Sequence, residues 1–214
     1  MPADPADLAD PAAAPAPDLP PNPAPNQALD LAPDSPTRVV VALGSNLGDR
    51  SATLRTAVAR LGAVPGVRLV AVSGVWQTAA IGGPQQPDYL NAVLLLDCTL
   101  SPRALLAACQ QVEVEHHRQR EVRWGPRTLD LDVIVFGDLI SDQPDLLLPH
   151  PRAAGRAFVL APWNQVDPSA VLPVAAPGGS TRRAVVRRVA ELLAETADAG
   201  DVRCRPDLDL ASVQ

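Results

Sequence analysis

Residues 123–136 combine a polar lead-in with an alternation of side chains that is typical of a β-strand. The segment reads Arg-Trp-Gly-Pro-Arg-Thr-Leu-Asp-Leu-Asp-Val-Ile-Val-Phe. Side chains two apart in a strand point to the same side. One predicted face is therefore continuous and apolar, made of Leu129, Leu131, Val133 and Val135. The opposite face begins with Asp130 and Asp132 and turns apolar again at Ile134 and Phe136.

Two neighbouring carboxylates at the mouth of a buried strand repel each other unless positive charge lies between them. Mg²⁺ held by one or two carboxylates and by substrate phosphates is the common solution. Arg123 and Arg127 add a second phosphate-binding element close by. The alternative is an exposed edge strand whose acids are solvated, and composition alone does not decide between them. The Trp-Gly-Pro-Arg lead-in favours the metal interpretation.

The length of 214 residues suits one domain with a core and flanking tails. Residues 1–36 are almost entirely Pro, Ala, Asp, Leu and Asn, so we predict a disordered tail that cannot bury enough apolar surface to order itself. The segment lacks the basic start and apolar run of a secretory signal. No stretch approaches the roughly 20 apolar residues of a membrane span, so no membrane association is expected.

Composition narrows the chemistry further. The net charge of −6 argues against a general nucleic-acid binder. Cys98, Cys109 and Cys204 have no metal-like spacing, which favours free thiols in a reducing cytosol and a cytoplasmic location. The chain has no lysine, which excludes a P-loop lysine and a Schiff-base lysine. Phosphate must then be bound by Arg, His, backbone N–H groups or metal.

Periodicity and turn residues predict an alternating order of elements. Strands are predicted at 38–43, 67–78, 90–98 and 129–136. One helix follows the turn at 44–49 and runs to about Leu61, and a second runs from Ser101-Pro102 toward Glu115. Loops are predicted at 79–88 and 118–127, and the second of these is basic. This βαββαβ order predicts an α+β, ferredoxin-like sandwich with a C-terminal extension, in a domain spanning 37–195.

The C-terminal extension is less regular in sequence. Residues 146–166 are predicted to be irregular, and 180–195 to form an amphipathic helix. Residues 196–214 form a polar tail to which no element is assigned.

Four motifs occur in an order that points to one family. They are Gly44-Ser-Asn-Leu-Gly-Asp49, Gln86-Pro-Asp-Tyr-Leu-Asn91, the Trp-Gly-Pro-Arg-Thr-Leu-Asp-Leu-Asp run ending at Asp132, and Leu148-Pro-His-Pro151 with Arg156-Ala-Phe158. Together they resemble the 6-hydroxymethyl-7,8-dihydropterin pyrophosphokinases of folate biosynthesis, over about residues 38–195. The resemblance implies transfer of pyrophosphate from ATP to the pterin hydroxymethyl group, release of AMP, and two Mg²⁺ ions.

The resemblance also implies roles for charged and polar residues. The expected catalytic residues are Arg118, Arg127, Asp130 and Asp132, of which the two aspartates hold the metal. The expected ATP-binding residues are Gln110, Glu113, Arg120, Arg127, His150 and Arg156. Five of these residues have an ordinary alternative. Arg118 and Arg120 could belong to a solvated basic loop, Gln110 and Glu113 to a solvent-exposed helix face, and His150 could be a simple loop residue.

The pterin side of the resemblance rests on aromatic and polar side chains. The expected pterin-binding residues are Thr78, Tyr89, Asn91, Trp124 and Phe158. Aromatic rings stack on a flat ligand, whereas the Thr and Asn side chains read its polar edge. The alternative is that the aromatic residues belong to the core.

The sequence departs from the family pattern at Ala79, Ala80, His117, Glu121 and Asp145, which bears on ATP affinity and loop behaviour. The expected partners are ATP and the pterin alone, bound by a monomer. Two rivals stay open: a ferredoxin-like module that senses a ligand without chemistry, and an RNA-recognition module. The second needs exposed aromatic residues and a basic surface, neither of which the sequence offers.

Overall fold

The computed structural model describes residues 28–80, 86–116, 128–175 and 184–210. Its helices and strands are β1 (Thr37–Ser45), α1 (Arg50–Gly62), β2 (Val67–Val72), β3 (Val75–Thr78), β4 (Tyr89–Cys98), α2 (Pro102–Glu115), β5 (Asp130–Phe136), β6 (Ser141–Gln143), β7 (Leu146–Leu148), α3 (Ala157–Val166), β8 (Val171–Ala175), β9 (Ala184–Arg188), α4 (Val189–Glu195) and β10 (Arg203–Arg205). Single 3-10 turns lie at Ala153–Gly155 and Ala199–Asp201. The fold is a mixture of helices around an antiparallel sheet.

Both predicted helix starts are confirmed by their caps. The Asp49 carboxylate accepts a hydrogen bond from the Ala52 amide at 3.0 Å, and the Ser101 hydroxyl accepts one from the Ala104 amide at 3.2 Å. Each side chain satisfies an amide that has no partner within its own helix.

The main sheet runs in the order β10, β3, β4, β1, β5, with β2 also paired to β4. The single strand predicted at 67–78 is divided in two, although both halves pair with β4 as the expected hairpin. At the break, the Ser73 amide donates to the Val93 carbonyl at 2.9 Å and its hydroxyl accepts from the Val93 amide at 2.9 Å. Gln165 Oε1 of α3 accepts from the amide of Gly74. These contacts fix the break at Ser73-Gly74, a dipeptide that is typical of turns and that the prediction of one strand overlooked.

Each face of the sheet has its own core. Helices α1 and α2 cover one face with Leu54, Leu61, Leu105 and Val112, among others. Helices α3 and α4 cover the other face with Leu160, Trp163, Val189 and Leu192, among others. A two-layer sandwich was expected from the first six elements, and the C-terminal extension supplies the third layer.

The expectation of irregular chain at 146–166 is wrong, because this segment contains β7 and the helix α3. Pro162 lies inside α3 and hides it from pattern reading, since proline removes a helical hydrogen bond. Six of its ten residues are buried, and packing against the sheet outweighs the local cost. The helix predicted at 180–195 is also corrected: residues 184–188 form β9, paired with β8, and α4 begins only at Val189. Residues 180–183 lie outside the described ranges.

A register shift in β5 alters the predicted faces of this strand. Val40 pairs with Val135 and Val41 with Val133, so Ile134 is the extra residue of a bulge. Up to Val133 the predicted alternation is correct. Beyond it the faces exchange: Val135 packs on the α3–α4 side and Phe136 on the α1–α2 side. One inserted residue is enough to do this because the side-chain period of a strand is two.

Both predicted tails take part in the fold. Leu29 is fully buried, its carbonyl accepts from the Arg103 amide at 3.1 Å, and Asp30 forms a 2.6 Å ion pair with Arg103. The prediction of a disordered tail through residue 36 is therefore wrong at its C-terminal end; residues 1–27 lie outside the described ranges. At the other terminus Leu210 is only 2% exposed, so the boundary predicted at 195 is too early. Within the described ranges, every helix is too short or too polar to cross a bilayer.

Candidate active site

A cavity of about 400 Å³ opens where β1, β4 and β5 meet the start of α3. Its acidic wall is formed by Asp130 and Asp132, which are half-buried on β5. They lie opposite Gly44 and Ala42 of β1, respectively. A Cβ on Gly44 would stand 3.2 Å from Asn91 Oδ1, so the absence of a side chain there keeps the cavity open.

The two carboxylates suit a hard cation that shares its coordination with a ligand. Among the described residues, no group of three or more His, Cys, Asp or Glu side chains forms a metal cage. A pair of carboxylates facing a cavity leaves most of the shell to phosphate oxygens and water, which is how Mg²⁺ is usually bound. The donor set therefore fits Mg²⁺ bound together with a polyphosphate.

The polar edge of the cavity is formed by Thr78 and Asn91. The side-chain Nδ2 of Asn91 donates to the Thr78 hydroxyl at 2.9 Å, and both residues are less than 10% exposed. Tyr89 and Phe158 line the same cavity, and the Arg156 guanidinium lies 5.2 Å from the centre of the Phe158 ring. The structure thus brings together four of the five predicted pterin-binding residues. Trp124 lies outside the described ranges.

Cationic side chains complete the lining. Arg156 and Arg152 both border the cavity. His150 is held beside them: its amide donates to the Ile134 carbonyl at 2.8 Å, and its Nδ1 accepts from the Arg152 amide at 3.3 Å. Burial lowers the pKa of His150 below its ordinary value, and the negative charge of Asp132 opposes this shift. The imidazole is therefore neutral near pH 7.

The two residues predicted on α2 occupy different surroundings from each other. Glu113 is 3% exposed and its carboxylate accepts from the Leu131 amide at 2.8 Å, whereas Gln110 is exposed. Neither is among the residues that line the cavity.

Several predicted site residues belong to segments that the structure does not describe. Arg118, Arg120, Trp124 and Arg127 lie outside the described ranges, as do the departures His117 and Glu121. Asp145 is engaged elsewhere: the Arg103 guanidinium bonds its carboxylate at 2.8 Å and lowers its pKa. Ala79 borders the cavity, and Ala80 is not among its lining residues.

Three further polar residues border the cavity without having been predicted: Gln86, Arg152 and Asp198. Gln86 opens a recognised motif and Arg152 follows the Pro-His-Pro segment, so proximity to motifs could have identified both. Asp198 carries no such signal. Its carboxylate accepts from the Ala157 amide at 3.3 Å, and only the folded chain brings it to the start of α3.

The loop that precedes β4 is tied to the turn after β1. Asn46 is 1% exposed, and its side-chain Nδ2 donates to Gln86 Oε1 at 2.9 Å and to the Pro87 carbonyl at 3.3 Å. The Arg50 guanidinium donates to the Asp88 carbonyl at 2.6 Å. Two of the recognised motifs therefore contact each other beside the cavity.

Known proteins resemble this chain in sequence and in fold. The family model described as 7,8-dihydro-6-hydroxymethylpterin-pyrophosphokinase matches residues 40–168. A 2-amino-4-hydroxy-6-hydroxymethyldihydropteridine pyrophosphokinase of Pseudomonas aeruginosa is 44% identical over 136 residues, covering 64% of this chain and 84% of that protein. The protein of the same name from Mycobacterium tuberculosis is 43% identical over 187 residues, covering 82% and 94%, respectively.

Solved structures add a likeness of fold. A Plasmodium falciparum HPPK-DHPS variant crystallised with STZ-DHP aligns with a TM-score of 0.54 at 10% identity, covering 74% of this chain. This chain spans only 45% of that longer one, and the likeness concerns the fold alone.

Proposed function

This chain belongs to the 7,8-dihydro-6-hydroxymethylpterin-pyrophosphokinase family, and we propose that the cavity bordered by Asp130 and Asp132 is its active site. The protein transfers pyrophosphate from ATP to the hydroxymethyl group of hydroxymethyldihydropterin, in folate biosynthesis. It is therefore an ATP-dependent diphosphotransferase. In the reaction the pterin oxygen bonds to the β-phosphorus of ATP, the bond between that phosphorus and the α-phosphate oxygen breaks, and AMP leaves.

One observation supports the location of the site more than any other. A carboxylate pair, a buried Asn–Thr pair and two aromatic rings border a single cavity, where the first can hold metal and the others can bind a flat polar ring. Transfer of this kind depends on positioning and charge neutralisation more than on covalent chemistry by the protein. The geometry supplies both within one space.

We propose that Asp130 and Asp132 hold two Mg²⁺ ions together with the ATP phosphates. The chemistry such ions supply is neutralisation of charge on the phosphates and polarisation of the attacking hydroxyl. Arg152 and Arg156 border the same cavity, and a guanidinium can bind two phosphate oxygens at once. Thr78 and Asn91 orient the pterin edge, and Tyr89 and Phe158 stack on its faces.

The roles of residues away from the described cavity stay predictions. Arg118, Arg120 and Arg127 are proposed phosphate ligands, and Trp124 a proposed pterin contact, on the sequence motif alone. Gln110, Glu113 and His150 keep their proposed ATP-side role as well. A ferredoxin-like core is also proposed, because β5, β1, β4 and β3 follow one another in an antiparallel sheet behind two helices.

We further propose a cytosolic monomer that binds neither nucleic acid nor membranes. The net charge of −6 supports the absence of nucleic-acid binding. Three free cysteines support a reducing compartment.

The nucleotide product tests the activity against the rival of a non-catalytic sensor. Incubation with ATP, the pterin and Mg²⁺ should release AMP, and a chelator should stop the reaction. A variant carrying both Asp130→Asn and Asp132→Asn serves as the matched control for the same preparation. Release of ADP, or ligand binding without any nucleotide product, would refute the assignment.

A further inference from the structure

The edge strand β10 is attached to the strand that carries Thr78. Its residues Arg203 and Arg205 pair with Gln77 and Val75 of β3 in an antiparallel register. This strand lies beyond residues 40–168, which the family model matches. No residue of β10 is among those that line the cavity.

A chain of side-chain hydrogen bonds runs from β10 to the start of β4. The Arg205 guanidinium donates from Nη1 to Gln77 Oε1, and Gln77 Nε2 donates to Asp88 Oδ2 at 2.7 Å. The carbonyl of Asp88 accepts from Arg50 at 2.6 Å. Asp207 orients Arg205 through two bonds, at 2.9 Å to Nε and 2.7 Å to Nη2.

Two members of this chain directly precede residues of the pterin pocket. Gln77 precedes Thr78, Asp88 precedes Tyr89, and Thr78 and Tyr89 are paired across β3 and β4. Neighbouring side chains of a strand point to opposite faces. The Gln77 side chain of β3 therefore lies on the opposite face from Thr78, and its bond to Asp88, which directly precedes β4, links the two segments next to the residues that line the cavity.

We propose that Arg205 is a positioning residue for the pterin half of the site and acts through Gln77 and Asp88 on Thr78 and Tyr89. It does not itself border the cavity. The inference rests on the proposed function, because it takes the cavity as the pterin site. If Arg205 only anchored β10, its loss would lower stability without weakening the pterin more than the nucleotide.

Calorimetric titration of the full chain tests this without requiring turnover. The probes are the hydroxymethyldihydropterin and a non-hydrolysable ATP analogue with Mg²⁺. Arg205→Met keeps the apolar stem and removes the donors, and should weaken pterin binding about five- to tenfold, because Gln77 and Asp88 then hold Thr78 and Tyr89 less firmly. The analogue should bind within about twofold of its original affinity, because its predicted contacts are elsewhere.

Matched variants separate positioning from stability. Arg203→Met changes an exposed arginine of the same strand and should leave both affinities unaltered. Arg205→Lys keeps one donor for Gln77 and should recover part of the pterin affinity. In a protein that already carries Gln77→Met, Arg205→Met should weaken pterin binding little further, because both changes break the same series of hydrogen bonds.

Three results would overturn the inference: an unchanged pterin affinity in Arg205→Met, equal weakening of both ligands, or equal effects of the Arg203 and Arg205 substitutions. Failure of the proposed function gives a different pattern. In that case the unsubstituted chain would bind the pterin without releasing AMP, and the comparison of affinities would still decide the role of Arg205. An unsubstituted chain that binds no pterin at all would overturn both.

Discussion

The backbone amide of Leu131 donates a 2.8 Å hydrogen bond to the carboxylate of Glu113. Leu131 lies between Asp130 and Asp132, so this contact fixes the segment of β5 from which both carboxylates project. Glu113 comes from α2, on the other side of the sheet from α3. The helix that covers one core thus positions the acidic wall of the cavity.

Glu113→Ala should destabilise the protein by about 1–3 kcal/mol, because a buried amide loses its acceptor. Glu113→Gln retains an acceptor oxygen and should lower the free energy of unfolding by less than Glu113→Ala does. Urea unfolding measures both. Glu115→Ala, at an exposed residue of the same helix, is the control and should stay within about 0.5 kcal/mol of the original. A stability of Glu113→Ala equal to that of Glu115→Ala would show that the contact is dispensable. A large loss of ATP affinity in Glu113→Gln would instead support the predicted ATP role.

Asp130→Asn and Asp132→Asn should each reduce turnover by more than about tenfold, which corresponds to about 1.4 kcal/mol of barrier. Each change removes a proposed metal ligand and also relieves repulsion between the two carboxylates. Asp138→Asn, at an exposed residue shortly after β5, controls for the loss of one negative charge. Retention of more than a tenth of the rate would count against metal binding by that aspartate.

Leu29→Ala should destabilise the protein by about 2–5 kcal/mol, the usual range for truncating a fully buried leucine. Leu31→Ala is the matched control, because Leu31 is 56% exposed and should tolerate the change. By the same reasoning, a chain beginning at Thr37 should unfold at lower urea than one beginning at residue 28. Equal stability of these two chains would mean that the buried leucine contributes nothing.

Thiol reactivity should separate the three cysteines. Cys98 and Cys109 are fully buried, and burial raises the pKa of the Cys109 thiol to about 12, with the charges of Glu113 and Asp132 adding to the effect. Cys204 is exposed on β10. At pH 8 an alkylating reagent should label Cys204 alone in the folded protein and all three in urea. Cys204→Ser is the control. Prompt labelling of a second thiol in the native chain would contradict the buried placement.

His150 should make stability depend on pH. Because burial holds its folded-state pKa below the ordinary value near 6.5, the unfolded chain takes up the proton first as pH falls. The free energy of unfolding should therefore rise with pH between the folded-state pKa and about 6.5. Below the folded-state pKa, the loss of stability that comes from protonating the buried imidazole is complete. His150→Gln should flatten this dependence in urea unfolding below about pH 7. An unaltered slope in His150→Gln would disprove the assignment.

Motifs that are continuous in the sequence were readable without a structure. The turn at 44–49 and the Ser101-Pro102 start predicted their helices correctly, since the caps Asp49 and Ser101 satisfy amides only one turn away. The alternation from Leu129 to Val133 likewise predicted which side chains of β5 are buried. The resemblance indicated the family, which the comparisons confirm.

Features that depend on distant residues were not readable in the same way. Pro162 argued against a helix that burial against the sheet nevertheless stabilises. The bulge at Ile134 exchanges the faces of β5, and pairing with β1 alone reveals it. Leu29 and Leu210 lie in short Leu-Asp-Leu runs within polar segments, and runs of this length do not mark them as core.

The sequence by itself determined the family, the starts of α1 and α2, and the residue types that can bind metal, phosphate and a flat ring. These depend on hydrogen bonds and side-chain alternation within a few residues. Only the tertiary structure decided that Asp198 borders the cavity, that Glu113 supports β5, and that Arg205 reaches Gln77. Each of these joins residues far apart in the chain, whose proximity follows from packing both faces of one sheet and leaves no local pattern.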